Sequence, residues 1–176
     1  MPIEVNTESR IFNQEEFHAL DYRVMGIIFK MHNEFGRFLD ETPFKRAIAL
    51  ECADHSIEPV EQEVRIRVTH GSFTKDYFMD LVFARGLMVE ARTVETLAPV
   101  HRSQALNYLF LTGMKHGRLV NLRPERVQHE FVSTSLDADA RHQFAVVDWD
   151  WHDVNQPSAW LRQKFVELLN DWGAFL

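Results

Sequence analysis

Tyr77-Phe78-Met79-Asp80-Leu81-Val82-Phe83-Ala84-Arg85-Gly86-Leu87-Met88-Val89-Glu90-Ala91-Arg92 is the stretch that decides the reading of this chain. Two runs rich in apolar residues flank three residues that end in glycine, the pattern of a β-hairpin. A loop of that length suits a type I turn followed by a glycine in the left-handed region. It sets Phe83 against Leu87 and, counting back, Asp80 against Glu90, with facing Cβ atoms about 4.5–5.5 Å apart. Alternation then places Met79, Leu81 and Phe83 on one face with Leu87, Val89 and Ala91, an apolar face predicted to be core. Asp80, Glu90 and Arg92 share the other face. Two carboxylates held together repel unless a cation lies between them. Either Arg92 supplies that charge, or a divalent ion bridges the pair, magnesium or manganese being suited to oxygen ligands. Spacing leaves both open.

Outward from the hairpin the elements are legible by period. Val64, Ile66 and Val68 alternate with Arg65 and Arg67, which predicts a half-exposed strand, so residues 60–94 read as three strands. Before them, Phe17, Leu20, Val24, Ile27, Ile28, Met31 and Phe35 form a helical stripe, with Asn13 as cap and Gly36 as stop. A second helix is expected over residues 40–54, with Pro43 in its first turn, where the missing N–H costs nothing. After Pro99 come a helix from His101 to Thr112, a strand from Arg118 to Leu122 and a further strand from Val127 to Ser133. Another strand is predicted for Phe144 to Trp151, and Pro157 opens a last helix with the stripe Trp160, Leu161, Phe165, Leu168, Leu169 and Trp172. The expected class is α/β (α+β), a mixed central sheet flanked by helices. One domain spans residues 1–176, with its core at about 15–122 and a C-terminal extension over 123–176.

Bulk properties narrow the function. A chain of 176 residues with 45% hydrophobic and 26% charged residues suits one well-buried core. No segment has the roughly 20 apolar residues of a membrane span, so no membrane partner is expected. The polar N-terminus reads as neither signal nor transit peptide. The single cysteine, Cys52, excludes an internal disulfide, and the expected location is the cytoplasm. Net charge is −7, against a surface coated for nucleic acid. Basic residues nonetheless outnumber acidic ones between Arg65 and Arg126, and the balance reverses from Val132 onward. The sequence holds no P-loop, G-x-S-x-G or dinucleotide fingerprint, no CxxC and no helical histidine pair.

Residues 22–122 resemble the GxxExxY proteins, a group within the PD-(D/E)XK nuclease superfamily. The namesake motif stands here as Phe38-Leu39-Asp40-Glu41-Thr42-Pro43-Phe44, with the glutamate kept and phenylalanines at the glycine and tyrosine positions. Tyr77-Phe78-Met79-Asp80-Leu81 matches the family's aspartate segment. Val89-Glu90-Ala91-Arg92 matches its Val-Glu-x-Lys, and Leu97-Ala98-Pro99-Val100-His101 with Gln104, Tyr108-Leu109, Leu111-Thr112-Gly113, Gly117 and Asn121 matches the downstream pattern. The resemblance implies a PD-(D/E)XK nuclease-like core in which Asp80, Glu90 and Glu41 hold magnesium or manganese. Gln104 would orient water or phosphate, and a phosphodiester of DNA would be hydrolysed. Arg65, Arg67, Lys75, Arg102 and Arg118 are candidates for backbone phosphate contacts.

The departure that matters is Arg92 in place of lysine. Arginine stays protonated and cannot act as a base, yet it offers a fork of donors to phosphate. Phe44 for tyrosine removes a hydroxyl expected near Glu41. The resemblance therefore admits an active nuclease or a degenerate one. In the second case the chain is a non-catalytic interaction module, Arg92 pairs with both acids, and the Trp-rich C-terminal segment serves a protein partner or a homo-oligomer. A third reading is hydrolysis of some other phosphate ester. His101 is read as either an approach to the site or a helix cap. Cys52 is read as core, and Trp149, Trp151, Trp160 and Trp172 as packing or interface residues.

Overall fold

The computed structural model describes residues 2–147 and 149–174. Apolar stripes and caps account for the helices. In α1 (Gln14–Phe35) the Asn13 side chain accepts from the Glu16 N–H at 2.9 Å and Glu16 returns the bond at 3.1 Å, a capping box that satisfies two orphan donors. α2 (Glu41–Asp54) follows, burying Phe44, Ile48, Ala49 and Cys52. The strands are β1 (Ile3–Val5), β2 (Val60–His70), β3 (Phe73–Phe83), β4 (Leu87–Arg92), β5 (His116–Asn121) and β6 (Gln128–Ser133). Their order across the six-stranded sheet of the described residues is β1-β2-β3-β4-β5-β6. All neighbours are antiparallel except β4 and β5, which are parallel and joined through α3 (Pro99–Thr112).

Helices cover both faces of the sheet, which is why β4 reads as an unbroken buried run from Leu87 to Ala91. On one side α1 and α2 pack on Leu81, Phe83, Leu87, Val89, Ala91, Val120 and Leu122. On the other, Ala105, Tyr108, Leu109 and Leu111 of α3 cover Val64, Ile66, Val68, Met79, Val82, Met88 and Leu119. A buried side chain of this size contributes about 1.5–3 kcal/mol. Met79 is thus a correction: it packs opposite Leu81 rather than beside it. The β2–β3 ladder skips Glu63 and Asp80, and Glu63 has a φ of 51°, so the paired strands turn over at that point and the odd-numbered residues of β3 change sides.

The hairpin turn differs from the predicted type while its register holds. Phe83 pairs with Leu87, but Ala84 (φ 47°) and Arg85 (φ 62°) take the left-handed conformations, not Gly86. Glycine is required at position 86 for room. A Cβ there would lie 2.2 Å from the Phe12 ring and 2.6 Å from the Arg10 carbonyl, because the segment before α1 straps across the turn. Arg10 N–H donates to the Arg85 carbonyl at 2.8 Å, fixing that strap.

Two further differences lie at the ends of the chain. β1 is three residues long, too short for a period to show, and is held by pairing with Ile66, Arg67 and Val68. The strand predicted for Phe144 to Trp151 crosses Asp148, which lies outside the described residues; the described residues of that run form no strand. Val146, Val147 and Trp151 instead line a cavity of about 430 Å³ with Phe165, Val166 and Leu169 of α5 (Gln156–Trp172), so their apolar character serves a helix rather than the sheet. The short α4 (Ala138–His142) precedes that run. No helix among the described residues is long and apolar enough to cross a membrane.

Candidate functional site

β3 and β4 pair over only three positions, Leu81–Val89, Val82–Met88 and Phe83–Leu87. Beyond them the strands part, β3 continuing with β2 and β4 with β5. Asp80 and Glu90 stand where the fork opens. Parting the strands frees backbone donors that must find acceptors. The Asp80 N–H donates to Glu90 Oε1 at 3.2 Å, and the Ala91 N–H donates to Asp80 Oδ2 at 3.0 Å. The two acids therefore replace the missing rungs of the ladder.

Two cations complete the fork. Arg92 donates from one nitrogen to Asp80 Oδ2 at 2.9 Å and to the Ala91 carbonyl at 2.5 Å, and from the other to Glu90 Oε2 at 3.0 Å and Gln104 Oε1 at 2.8 Å. Gln104 in turn donates to the Tyr108 hydroxyl at 2.7 Å, which ties the group to α3. From the opposite side Lys45 of α2 reaches Asp80 Oδ1 at 2.8 Å and Glu63 at 2.5 Å, with Glu41 at 3.5 Å. Four carboxylates, Glu41, Glu63, Asp80 and Glu90, thus surround two chain cations.

Burial governs the electrostatics. Glu90 is 1% exposed, and its carboxyl is held well above the usual range by burial and by the Asp80 charge, against the pull of Arg92. Glu41 is raised for the same first two reasons, with Arg92 and Lys45 opposing. Burial alone would lower the Lys45 ammonium, but its hydrogen bonds to Asp80 and Glu63 raise it, so it stays charged. Arg92 is raised likewise by Glu90 and Asp80 against burial. Neither cation is a proton acceptor at neutral pH.

The structure brings Asp80, Glu90, Arg92 and Gln104 together and adds Lys45 and Glu63, which the sequence reading missed. Glu41 is nearby but turned to Lys45; among the described residues no group of three or more His, Cys, Asp or Glu side chains is disposed to hold a metal ion. The expected carboxylate trio is therefore not assembled, because Lys45 stands among Glu41, Glu63 and Asp80. The donors that do converge are Asp80 Oδ2, Glu90 Oε2 and the Ala91 carbonyl, all on the Arg92 guanidinium. That hard oxygen set fits magnesium or manganese in kind.

The expected phosphate contacts do not form one surface. Arg67 is committed bidentately to Asp76, at 2.7 and 2.8 Å, and Arg118 to Asp21, at 2.7 and 2.5 Å. Arg102 faces Glu130 and the Phe131 carbonyl. Arg65 and Lys75 have no ion pair among the described residues, and Lys75 lies over the Tyr77 ring. Phe44 is fully buried, stacked on His32 with ring centroids 6.3 Å apart, so the missing hydroxyl belongs to a core position rather than to the site. His101 accepts from the Ala98 N–H at 2.9 Å and caps α3. Cys52 is buried, its thiol pushed up to about 12 by burial, which leaves it inert.

A mixed sheet with helices on both faces and an aspartate–glutamate pair at its forked centre defines a nuclease-like α+β protein. The chain belongs to the PD-(D/E)XK nuclease superfamily, whose family profile matches residues 18–133. A solved structure titled "Crystal structure of SSO0001" is similar at 18% identity with a TM-score of 0.37, covering 65% of this chain and 67% of that one. No curated protein matches.

Proposed function

We propose that this chain is a metal-dependent nuclease of the GxxExxY type, hydrolysing phosphodiester bonds of DNA. One observation carries the reading: Asp80 Oδ2, Glu90 Oε2 and the Ala91 carbonyl converge on a single cationic position at the strand fork. Asp80 and Glu90 would hold magnesium or manganese there, with the Ala91 carbonyl as a third oxygen. When bound, that ion supplies activation of water and stabilisation of the charge that builds on the phosphoryl group. Lys45 fixes Asp80 through Oδ1 and keeps one face of the carboxylate turned to the fork. Arg92 offers a bidentate fork to a phosphate oxygen, and Gln104 orients it. Glu41, half-buried beside Lys45, borders the site from the first turn of α2. Arg65 and Lys75 on the β2–β3 hairpin supply backbone contacts, while Arg67, Arg102 and Arg118 would first have to leave their acidic partners. The cytoplasm suits the free thiol of Cys52.

A second reading has its own observation. Both acids are already ion-paired by side chains of the chain, as in a fork that has lost metal chemistry and serves as a binding module. The exposed Trp160 and Phe165 of α5 would then offer a surface to a protein or a second copy. Cleavage of plasmid and single-stranded DNA with manganese separates the two. Cutting that Asp80→Ala and Glu90→Ala abolish supports the nuclease; no cutting by the wild type at any manganese concentration supports the module.

A further inference from the structure

Arg92 occupies the position among the fork oxygens that a divalent ion would take. Its guanidinium draws in Asp80 Oδ2, Glu90 Oε2 and the Ala91 carbonyl at 2.9, 3.0 and 2.5 Å. An ion centred among those oxygens would meet the guanidinium that already fills the space, and two like charges at one point repel strongly at 1–13% side-chain exposure. Lys45 stands differently. It holds Asp80 through the other oxygen, Oδ1, and is itself tied to Glu63 and Glu41, so it contends for none of the three. Arg92 also has somewhere to go: its second nitrogen already bonds to Gln104, an exposed residue on α3.

We infer that the Arg92 guanidinium and a divalent cation are alternative occupants of one position in the fork, and that Lys45 keeps Asp80 in place for either. Arg92 thus acts as a plug that stabilises the metal-free acids and must swing toward Gln104 when an ion binds, which presents its donors to a phosphate only in the loaded state. This rests on the assignment of Asp80 and Glu90 as metal ligands.

Calorimetric titration of the full chain with manganese alone, paired with thermal unfolding with and without manganese, tests it. Arg92→Met should unfold at a lower temperature than the wild type without metal, bind manganese at least tenfold more tightly, and gain more in melting temperature when manganese is added. Lys45→Met should bind manganese more weakly than the wild type. Asp80→Ala should abolish the heat in both the wild-type and Arg92→Met backgrounds. If Arg92→Met fails to fold, Arg92→Lys serves, because one ammonium nitrogen cannot reproduce the two-nitrogen fork by which Arg92 holds Asp80 and Glu90, and this variant should also bind manganese more tightly than the wild type. Manganese binding by the wild type that Arg92→Met leaves equal or weakens would overturn the plug and leave the metal assignment standing. Equal or tighter binding by Lys45→Met would overturn the role given to Lys45. Absence of heat in the wild type and in a folded Arg92→Met protein alike would overturn the metal assignment and the plug with it.

Discussion

The fork between β3 and β4 and the seat of α5 on the β2–β3 turn are both fastened by charged side chains, but only one of them is dry. In the fork, the Lys45, Asp80, Glu90 and Arg92 side chains are 8%, 9%, 1% and 13% exposed. At the seat, His70 meets Asp171 at 2.5 Å and Glu167 at 3.8 Å, with the acids 42% and 33% exposed. The Trp172 indole N–H adds a bond to the Thr69 carbonyl at 3.0 Å, and α5 itself buries no residue fully. Similar bonds therefore have different worth. In the fork each charge has lost its water and depends on its partners, whereas at the seat water can replace either partner.

Removing one member of the fork should show the largest effect. Lys45→Met leaves Glu41, Glu63 and Asp80 facing each other with less cation, and should cost about 3–5 kcal/mol in urea unfolding. A loss under about 1 kcal/mol would mean that the fork admits water as freely as the seat does. Trp172→Ala should rank next, at about 2 kcal/mol, because it takes away a half-buried ring packed near Phe73 as well as a hydrogen bond. Asp171→Asn should cost no more than about 1 kcal/mol, and the cost should shrink as salt is added. If Asp171→Asn matched Lys45→Met, the contrast between the two regions would be lost.

The smallest effect is a change of slope with pH. His116 is packed between Phe17 and Phe131, and its Nδ1 is buried without a hydrogen-bond partner among the described residues. Burial, then the neighbouring His18 and Lys115, hold its pKa below the ordinary 6.5. The folded protein therefore binds fewer protons here than the unfolded chain, so this contribution is complete above about 6.5 and falls as pH drops below it. Stability measured from pH 7 to pH 5 should decline less steeply in His116→Phe than in the wild type.

The elements that frame the fork were readable in the sequence because they rest on local periods. The stripe from Phe17 to Phe35 fixed α1, and three loop residues fixed the register that sets Phe83 on Leu87. Lys45 was not readable. It lies four residues after Glu41 on α2 and looks like one half of a solvated helical pair. Only the packing of α2 against the sheet drives its ammonium onto Asp80. Glu63 likewise reads as an exposed strand residue until its positive φ breaks the ladder opposite Asp80. Met79 changed sides for the same reason, since strict alternation assumes a strand that never turns over. The run from Phe144 to Trp151 reads as sheet because apolar residues in a short segment do not say whether a strand or a helix will cover them.

The turn at residues 84–86 also acts as a ruler. Three residues separate it from each acid along the two strands, and Phe12 with the Arg10 carbonyl clamps Gly86 from outside, so the measure cannot stretch. One residue inserted there would slide β4 past β3 by a single step and carry the Glu90 carboxylate through the sheet to the side of Phe44 and Ile48. Descendants of this chain can therefore trade the residues that line the fork, as lysine for arginine at position 92, far more freely than they can change the length of the loop that aims them.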